Sequence, residues 1–341
     1  MTPKIRHKLL KRVDTFEDFA AQLYTINDES FENIALSVFR HQALHNDLYK
    51  RYIALLGVDP RAVSKVRDIP FLPISFFKTH KIRTGTWDPE TVFRSSGTTG
   101  MVRSHHLIKD MQWYLRNAER CFAHFFGDLR QYHFLALLPS YLERTDSSLV
   151  AMMNHFIARS GSQRSGFYLH NPEQLIRDAE ALRKDDRKVM IWGVAFALLD
   201  LAERYDPDLG HCTIIETGGM KGRRAEITRQ ELHQILCRRL NVGNIGSEYG
   251  MTELLSQAYS LQNGDFQCPP GVKVVIRDIA DPLERGISGT GGLNFIDLAN
   301  FQTICFVETE DLGKINTDGS FSVVGRMDNS DVRGCNLLVD Q

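Results

Sequence analysis

The sequence predicts an α/β protein built on a largely parallel sheet, followed by a β-rich, barrel-like or sandwich-like module. Three observations carry that prediction. Apolar runs suited to buried strands, HFLALLP, VMIWGV and HCTIIET, alternate with stretches of helical spacing through the middle of the chain. From Gly264 onward the texture changes to short β-like runs (GVKVVIRD, GGLNFIDL, TICFVETED, SFSVVGR) separated by Gly, Pro, Asn and Asp. With 341 residues the chain also exceeds the size at which a single core stops growing, so two or three subdomains are expected.

From Thr15 to Leu56 apolar residues recur at three and four, which predicts an amphipathic helical opening. His41 and His45 share one turn of it; without a nearby carboxylate they read as a structural pair rather than a metal site. IPFLPI, with two prolines, is extended or looped and closes the first subdomain. TVFR then enters a turn as a strand. Asp110–Phe126, Ser147–Ala158, Pro172–Leu182 and Ala195–Tyr205 have helical spacing, the third with proline at its start. HCTIIETGGMKG is a strand running into a double glycine, and a helix follows from Arg224 to Leu240 with Thr228 and Glu231 as a capping pair. The resulting division is a helical part over 1–90, an α/β nucleotide-binding core over 91–263, a β-rich module over 264–324 and a hinge-like tail over 325–341.

A net charge of -1 with no block of like charge gives no case for nucleic acid or an anionic membrane, so small molecules are the expected partners. The longest apolar run, Val189–Leu201, is broken by Gly193 and Asp200, and the amino terminus lacks an apolar signal core. A cytoplasmic protein without stable membrane insertion is expected. Six cysteines without CxxC spacing argue against zinc or a disulfide framework and predict reduced thiols.

The chemistry centres on FRSSGTTG at 93–100. Gly97 and Gly100 let backbone amides converge on an anion, and Ser95, Ser96, Thr98 and Thr99 add hydroxyl donors; a polar surface loop is the competing reading. It is not a Walker loop, because Met101, Val102 and Arg103 follow. Four further stretches bear on it. In GSEYGMTE, Tyr249 can stack on a purine, Thr252 can donate to phosphate and Glu253 can hold magnesium. In ETGGM, Gly218 and Gly219 would let a flat base lie against backbone. In ETEDLG, Asp311 can accept from two ribose hydroxyls. VVGRMDN adds Arg326, for ribose or phosphate, and Asp328 at a bend. Alone, each reads as well as a core tyrosine, a glycine cap, a hairpin acid or a surface arginine.

That set, in that order, resembles the acyl-adenylate-forming superfamily from Phe93 to about Asn336. FLPISFFKTHKI, FRSSGTTG, LPSYLERTDSSLV and RGCNLLV more closely resemble the acyl-protein synthetases of bacterial bioluminescence, the LuxE family. The resemblance implies the large-domain fold of adenylate-forming enzymes, with ATP and Mg²⁺ as cofactors. It implies that Ser95–Gly100 binds the pyrophosphate side of ATP, that Gly218, Gly219, Met220, Tyr249 and Gly250 lie at the adenine, and that Thr252 contacts the α-phosphate. Glu253 then binds magnesium, and Asp311 holds the ribose. It also implies that a carboxylic, fatty acid is activated to acyl-AMP, with Cys335 taking the acyl group for a reductase-like or acyltransferase partner. Arg333 and Gly334 beside Cys335 suit a reactive, mobile thiol. Tyr141, Trp192 and Gly193 are expected to line the acid pocket. Two departures stand out: Arg103 stands near the place of the usual loop lysine, and the chain ends thirteen residues after Asp328, implying no mobile carboxy-terminal domain. An acid–CoA or acid–carrier-protein ligase and a non-catalytic nucleotide-binding subunit remain the alternatives; a serine hydrolase is disfavoured because GxSxG is absent.

Overall fold

A computed structural model describes residues 16–96, 102–139, 145–169, 171–218 and 227–327. Asparagines divide the helical opening into α1 (Phe16–Leu23), α2 (Asp28–His45) and α3 (Asp47–Leu55). The side-chain oxygens of Asn27 and Asn46 accept the Ser30 and Tyr49 amides, so each caps the helix that follows it. The prolines of IPFLPI keep the next segment extended as β1 (Leu72–Pro73), before the single-turn α4 (Phe76–Thr79). β2 (Thr91–Arg94) then pairs antiparallel with β3 (His105–Ile108), a strand that its four residues, two of them histidines, did not advertise.

The alternation expected through the middle of the chain is present. α5 (Met111–Phe126), β4 (Tyr132–Leu137), α6 (Ser148–Ser160), β5 (Gly166–Phe167) and α7 (Pro172–Ala181) are followed by β6 (Lys188–Val194), α8 (Ala195–Tyr205), β7 (Cys212–Thr217), α9 (Arg229–Arg239), β8 (Gly246–Tyr249) and β9 (Ala258–Ser260). The sheet runs β5-β4-β6-β7-β8-β9, parallel until β9 closes it antiparallel. Helices on both faces bury β4 along its whole length, hence its unbroken apolar run. At the start of α9 the Thr228 hydroxyl accepts the Glu231 amide and the Glu231 carboxylate accepts the Thr228 amide, a closed capping box. Trp192 and Gly193 do not line an open pocket together. Trp192 is fully buried among Phe122, Phe156 and Tyr259, whereas a Cβ on Gly193 would sit 2.7 Å from Leu198 of α8.

The β-rich module consists of β10 (Val272–Arg277), β11 (Arg285–Gly286), β12 (Gly289–Asp297), β13 (Phe306–Ile315) and β14 (Phe321–Arg326). Its sheet runs β1-β13-β12-β10-β11, with β14 also on β13; every pair is antiparallel except β1 with β13. A strand from residues 72–73 therefore completes a sheet formed mainly after residue 271. Asp311 lies inside β13, beside a register shift at Leu312/Gly313, and not in a turn. No helix among the described residues is long and apolar enough to cross a membrane.

Gln42 of α2 fastens the opening helices to this module. Its amide nitrogen donates to the Phe301 carbonyl (2.9 Å), and its oxygen accepts the Cys305 amide (3.0 Å) with no exposure to solvent. Gln42→Leu leaves both backbone groups unpaired at roughly 1–3 kcal/mol each. Urea denaturation is expected to show a loss of about 2–5 kcal/mol; a loss below about 0.5 kcal/mol would mean that the bonds contribute nothing net.

Candidate active site

The irregular segment 250–257, which joins β8 to β9 within the parallel sheet, packs against the β-rich module at Asp297 and Asn300. Backbone groups there lack a regular ladder and must find partners elsewhere. His106 Nδ1 donates to the Thr252 carbonyl (2.7 Å), Asn300 to the Glu253 carbonyl (2.8 Å) and Asn117 to the Leu255 carbonyl (3.0 Å). Asp297 accepts the amides of Leu255 (2.8 Å) and Ser256 (2.9 Å). Burial pushes His106 down to about 4, only partly opposed by its bond to Thr252, so the ring is neutral at pH 7. Its Nε2 is then the acceptor for the Thr303 hydroxyl at 3.1 Å. These four side chains were not singled out in the sequence. Their signal, polar residues scattered through apolar runs such as FIDLAN, looks the same in a solvated loop.

Of the expected site residues, three meet directly. The Tyr249 hydroxyl donates to Asp311 Oδ2 (2.6 Å) and Arg326 Nε donates to Asp311 Oδ1 (3.2 Å), so both carboxylate oxygens are engaged across the join between the sheet and the module. The Tyr249 ring stacks on Phe295 (centroids 5.1 Å apart, planes at 13°) with Phe266 and Phe321 against it edge-on. Arg326 keeps 66% of its side chain exposed. A ligand can thus reach the guanidinium and the rim of Asp311 without opening the core.

Glu253 is buried, which raises its carboxyl, against a hydrogen bond from Ser104 and the charges of Arg326 and Lys78. Ser104 also ties this carboxyl to the start of the glycine-rich stretch, since its amide donates to Ser95 Oγ (2.9 Å) and its carbonyl accepts the Ser95 amide (3.2 Å). Thr252 is half-buried and Ser96 exposed. Arg103 and Arg94 both face Asp146, at 2.5 Å and 3.7 Å. Gly218 ends β7 at φ +66°, a conformation that a β-carbon disfavours. Gly97, Thr98, Thr99, Gly100, Gly219, Met220, Tyr141, Asp328 and Cys335 lie outside the described residues.

Two buried glutamates stand at the strand ends on opposite faces. Burial alone would raise Glu216, but bonds from His233 and Ser247 and the Arg229 charge (Nε to Oε1, 3.0 Å) outweigh it and hold the carboxyl below its ordinary range. Arg229 also lies over the Phe266 ring at 4.8 Å, which ties α9 to the second sheet. Glu248 has no such cation among the described residues. The Thr217 hydroxyl donates to it, and a Cβ on Gly250 would meet its Oε1, so a side chain there would make this carboxylate shift. Burial pushes Glu248 up to about 7, with Thr217 opposing and Glu216 adding. Among the described residues no group of three or more His, Cys, Asp or Glu side chains forms a metal cage, so a cation here would depend on Glu253 and on ligands from its substrate.

Residues 19–119 match the acyl-protein synthetase (LuxE) family model, so the resemblance read from FLPISFFKTHKI and FRSSGTTG holds. No curated protein matches the chain. Among solved structures, 2-hydroxyisobutyryl-CoA ligase in complex with 2-HIB-AMP and CoA in its thioesterification state matches over 89% of this chain and 70% of its own, with TM-score 0.67 and 12% identity. The fold is that of the adenylate-forming ligases. The open conformation of the same ligase, in complex with the same two molecules, gives TM-score 0.65 at 11% identity over 89% of this chain and 77% of its own. ATP-bound MatB from Rhodopseudomonas palustris gives 0.53 at 16% identity over 71% of this chain, which spans only about half (49%) of MatB. At these identities the likeness to the ligases is one of fold.

The Glu248 environment predicts a pH signature. The folded state binds a proton near pH 7 that the unfolded chain releases near 4.5, so stability is fully present below about 4.5 and falls as pH rises to about 7. Relative to Glu248→Gln, the loss should reach about 3 kcal/mol. Parallel stability curves for the two proteins between pH 4 and pH 8 would refute a raised carboxyl.

Proposed function

We propose that this chain uses ATP to activate a carboxylic acid, of the fatty class, as an acyl-adenylate and then carries the acyl group on Cys335 for delivery to a partner protein. The observation that carries the reading is the convergence of Tyr249 and Arg326 on Asp311 beside buried Glu253, in a fold shared with ATP-bound MatB and an acyl-AMP complex of a CoA ligase.

The reaction joins two anions. The acid's carboxylate oxygen attacks the α-phosphorus of ATP, the bond to the β-phosphate oxygen breaks, and pyrophosphate leaves with the electron pair. Such steps are catalysed chiefly by positioning and by charges fixed beforehand. Asp311 would exchange its bonds with Tyr249 and Arg326 for two ribose hydroxyls, which fixes the nucleoside. Thr252, its carbonyl held by His106, would present its hydroxyl to the α-phosphate. Glu253 is a hard oxygen ligand with burial to relieve, and so fits magnesium, which would supply the positive charge that two anionic reactants require.

Thiol chemistry supports Cys335 as the acceptor. Burial pushes Cys121 up to about 11, Cys212 and Cys268 to about 12, and Cys305 and Cys237 above their ordinary range, which leaves these five as poor nucleophiles at neutral pH. Cys335, beside Arg333, is the remaining cysteine. Reduced thiols suit a cytoplasmic setting, where a reductase-like or acyltransferase partner would collect the thioester. The CoA present in both ligase complexes favours one second reading, a diffusible thiol as the final acceptor.

Two variants test these steps separately. Glu253→Gln is expected to abolish acid-dependent exchange of labelled pyrophosphate into ATP with a thermal midpoint within a few degrees of the parent; undiminished exchange removes the magnesium role. Cys335→Ser should retain exchange, because adenylation precedes the thiol step, yet lose the hydroxylamine-labile acyl label. Label persisting in that variant, or passing only to added coenzyme A in the parent, would transfer the acceptor role elsewhere.

A further inference from the structure

The adenylate chemistry needs a cation near the α-phosphate, and the glycine-rich stretch supplies no lysine. A lysine from far upstream lies near enough for its charge to act on Glu253. α4 is a single turn, FFKT, held by its aromatic neighbours: Phe77 is fully buried with its ring edge-on to His106 at 5.5 Å, and Phe76 packs on Tyr52 and His80. His106 is the side chain that grips the Thr252 carbonyl, so α4 is two contacts away from the Thr252–Glu253 pair. Next to Phe77, Lys78 reaches to 4.0 Å from Glu310, the residue before Asp311 on β13, and keeps 35% of its side chain exposed. Its charge is also felt at the Glu253 carboxyl. Lys78 is thus paired with the strand that carries Asp311 while its charge acts on Glu253, and its ammonium sits on a flexible four-carbon stem.

We propose that Lys78 is a catalytic residue of the adenylation step, whose ammonium leaves Glu310 to contact the α-phosphate oxygens as the acid attacks. The step moves no proton: the carboxylate oxygen forms the new bond to phosphorus, pyrophosphate departs with the electrons of the broken bond, and Lys78 offsets the charge that gathers on the non-bridging oxygens.

This rests on the adenylation reading, and the test separates the two. Acid-dependent pyrophosphate exchange is measured at saturating magnesium with a panel of fatty, aryl and amino acids for the parent, Lys78→Ala, Lys78→Gln, Lys78→Arg and Glu310→Gln, each with its thermal midpoint. Lys78→Ala and Lys78→Gln should lower kcat by about a hundredfold or more with KM for ATP changed less than about threefold, the signature of a contact made in the transition state. Lys78→Arg should restore a tenth or more of the parent rate, and Glu310→Gln, which breaks the pair but keeps the cation, should stay within about threefold of it. Exchange by either neutral variant at the parent rate would overturn the role of Lys78 and leave adenylation standing. A loss in Glu310→Gln as large as in Lys78→Ala would reduce Lys78 to a strut. Exchange by the parent with no acid would overturn adenylation and this role with it.

Discussion

The loop that joins β8 to β9 and packs against the β-rich module is the constraint on which the site depends. Between β8 and β9 the chain has no neighbouring strand for its amides and carbonyls, and each unpaired group would cost roughly 1–3 kcal/mol. His106, Asn117, Asp297 and Asn300 provide the missing partners, and they come from three separate parts of the sequence. Because the same bonds fix the backbone at Thr252 and Glu253, holding the fold together and placing these two proposed site residues are one task here. Asp297 shows the cost: burial raises its carboxyl, and only the hydroxyl and amide of Ser256 and the amides of Leu255 and Ala299 oppose that.

On each side of this loop the charges are arranged differently. Towards the module, Asp311 is satisfied by a tyrosine hydroxyl and a largely exposed arginine, partners that an incoming diol can replace. Within the sheet, Glu216 is locked by Arg229 and His233, which makes it a strut between β7 and α9. Glu248, one residue before Tyr249 and on the opposite face, is left with a threonine hydroxyl and a carboxyl near neutrality. Neighbouring glutamates therefore differ in role through the cations placed beside them, not through their depth of burial.

Much of this was legible in the residues. The strand and helix alternation, the capping box at Thr228 and Glu231 and the β texture after Gly264 are local patterns, and local patterns survive in a one-dimensional string. The grouping of Tyr249 with Asp311 and Arg326 was reached through the resemblance of the motifs; composition and spacing alone left each as a core tyrosine, a hairpin acid or a surface arginine. The contacts of β1 and Gln42 with the module link positions more than two hundred residues apart, and no periodicity encodes them. Trp192 illustrates the converse error: a large aromatic at a strand end suggests a pocket wall, but whether its face meets solvent or Phe122, Phe156 and Tyr259 is decided by the helices packed above it.

The central claim is that the join between the sheet and the module is a nucleotide site organised by Asp311. Titration calorimetry of ATP into the parent and into Asp311→Ala tests it without any assumption about the acid or the acceptor. The account predicts that the parent binds and that the variant binds about tenfold to a hundredfold more weakly, since two bound hydroxyls lose their acceptor. Equal affinity for ATP in the two proteins would contradict it and return Asp311 to the role of a strand residue that orders Tyr249 and Arg326.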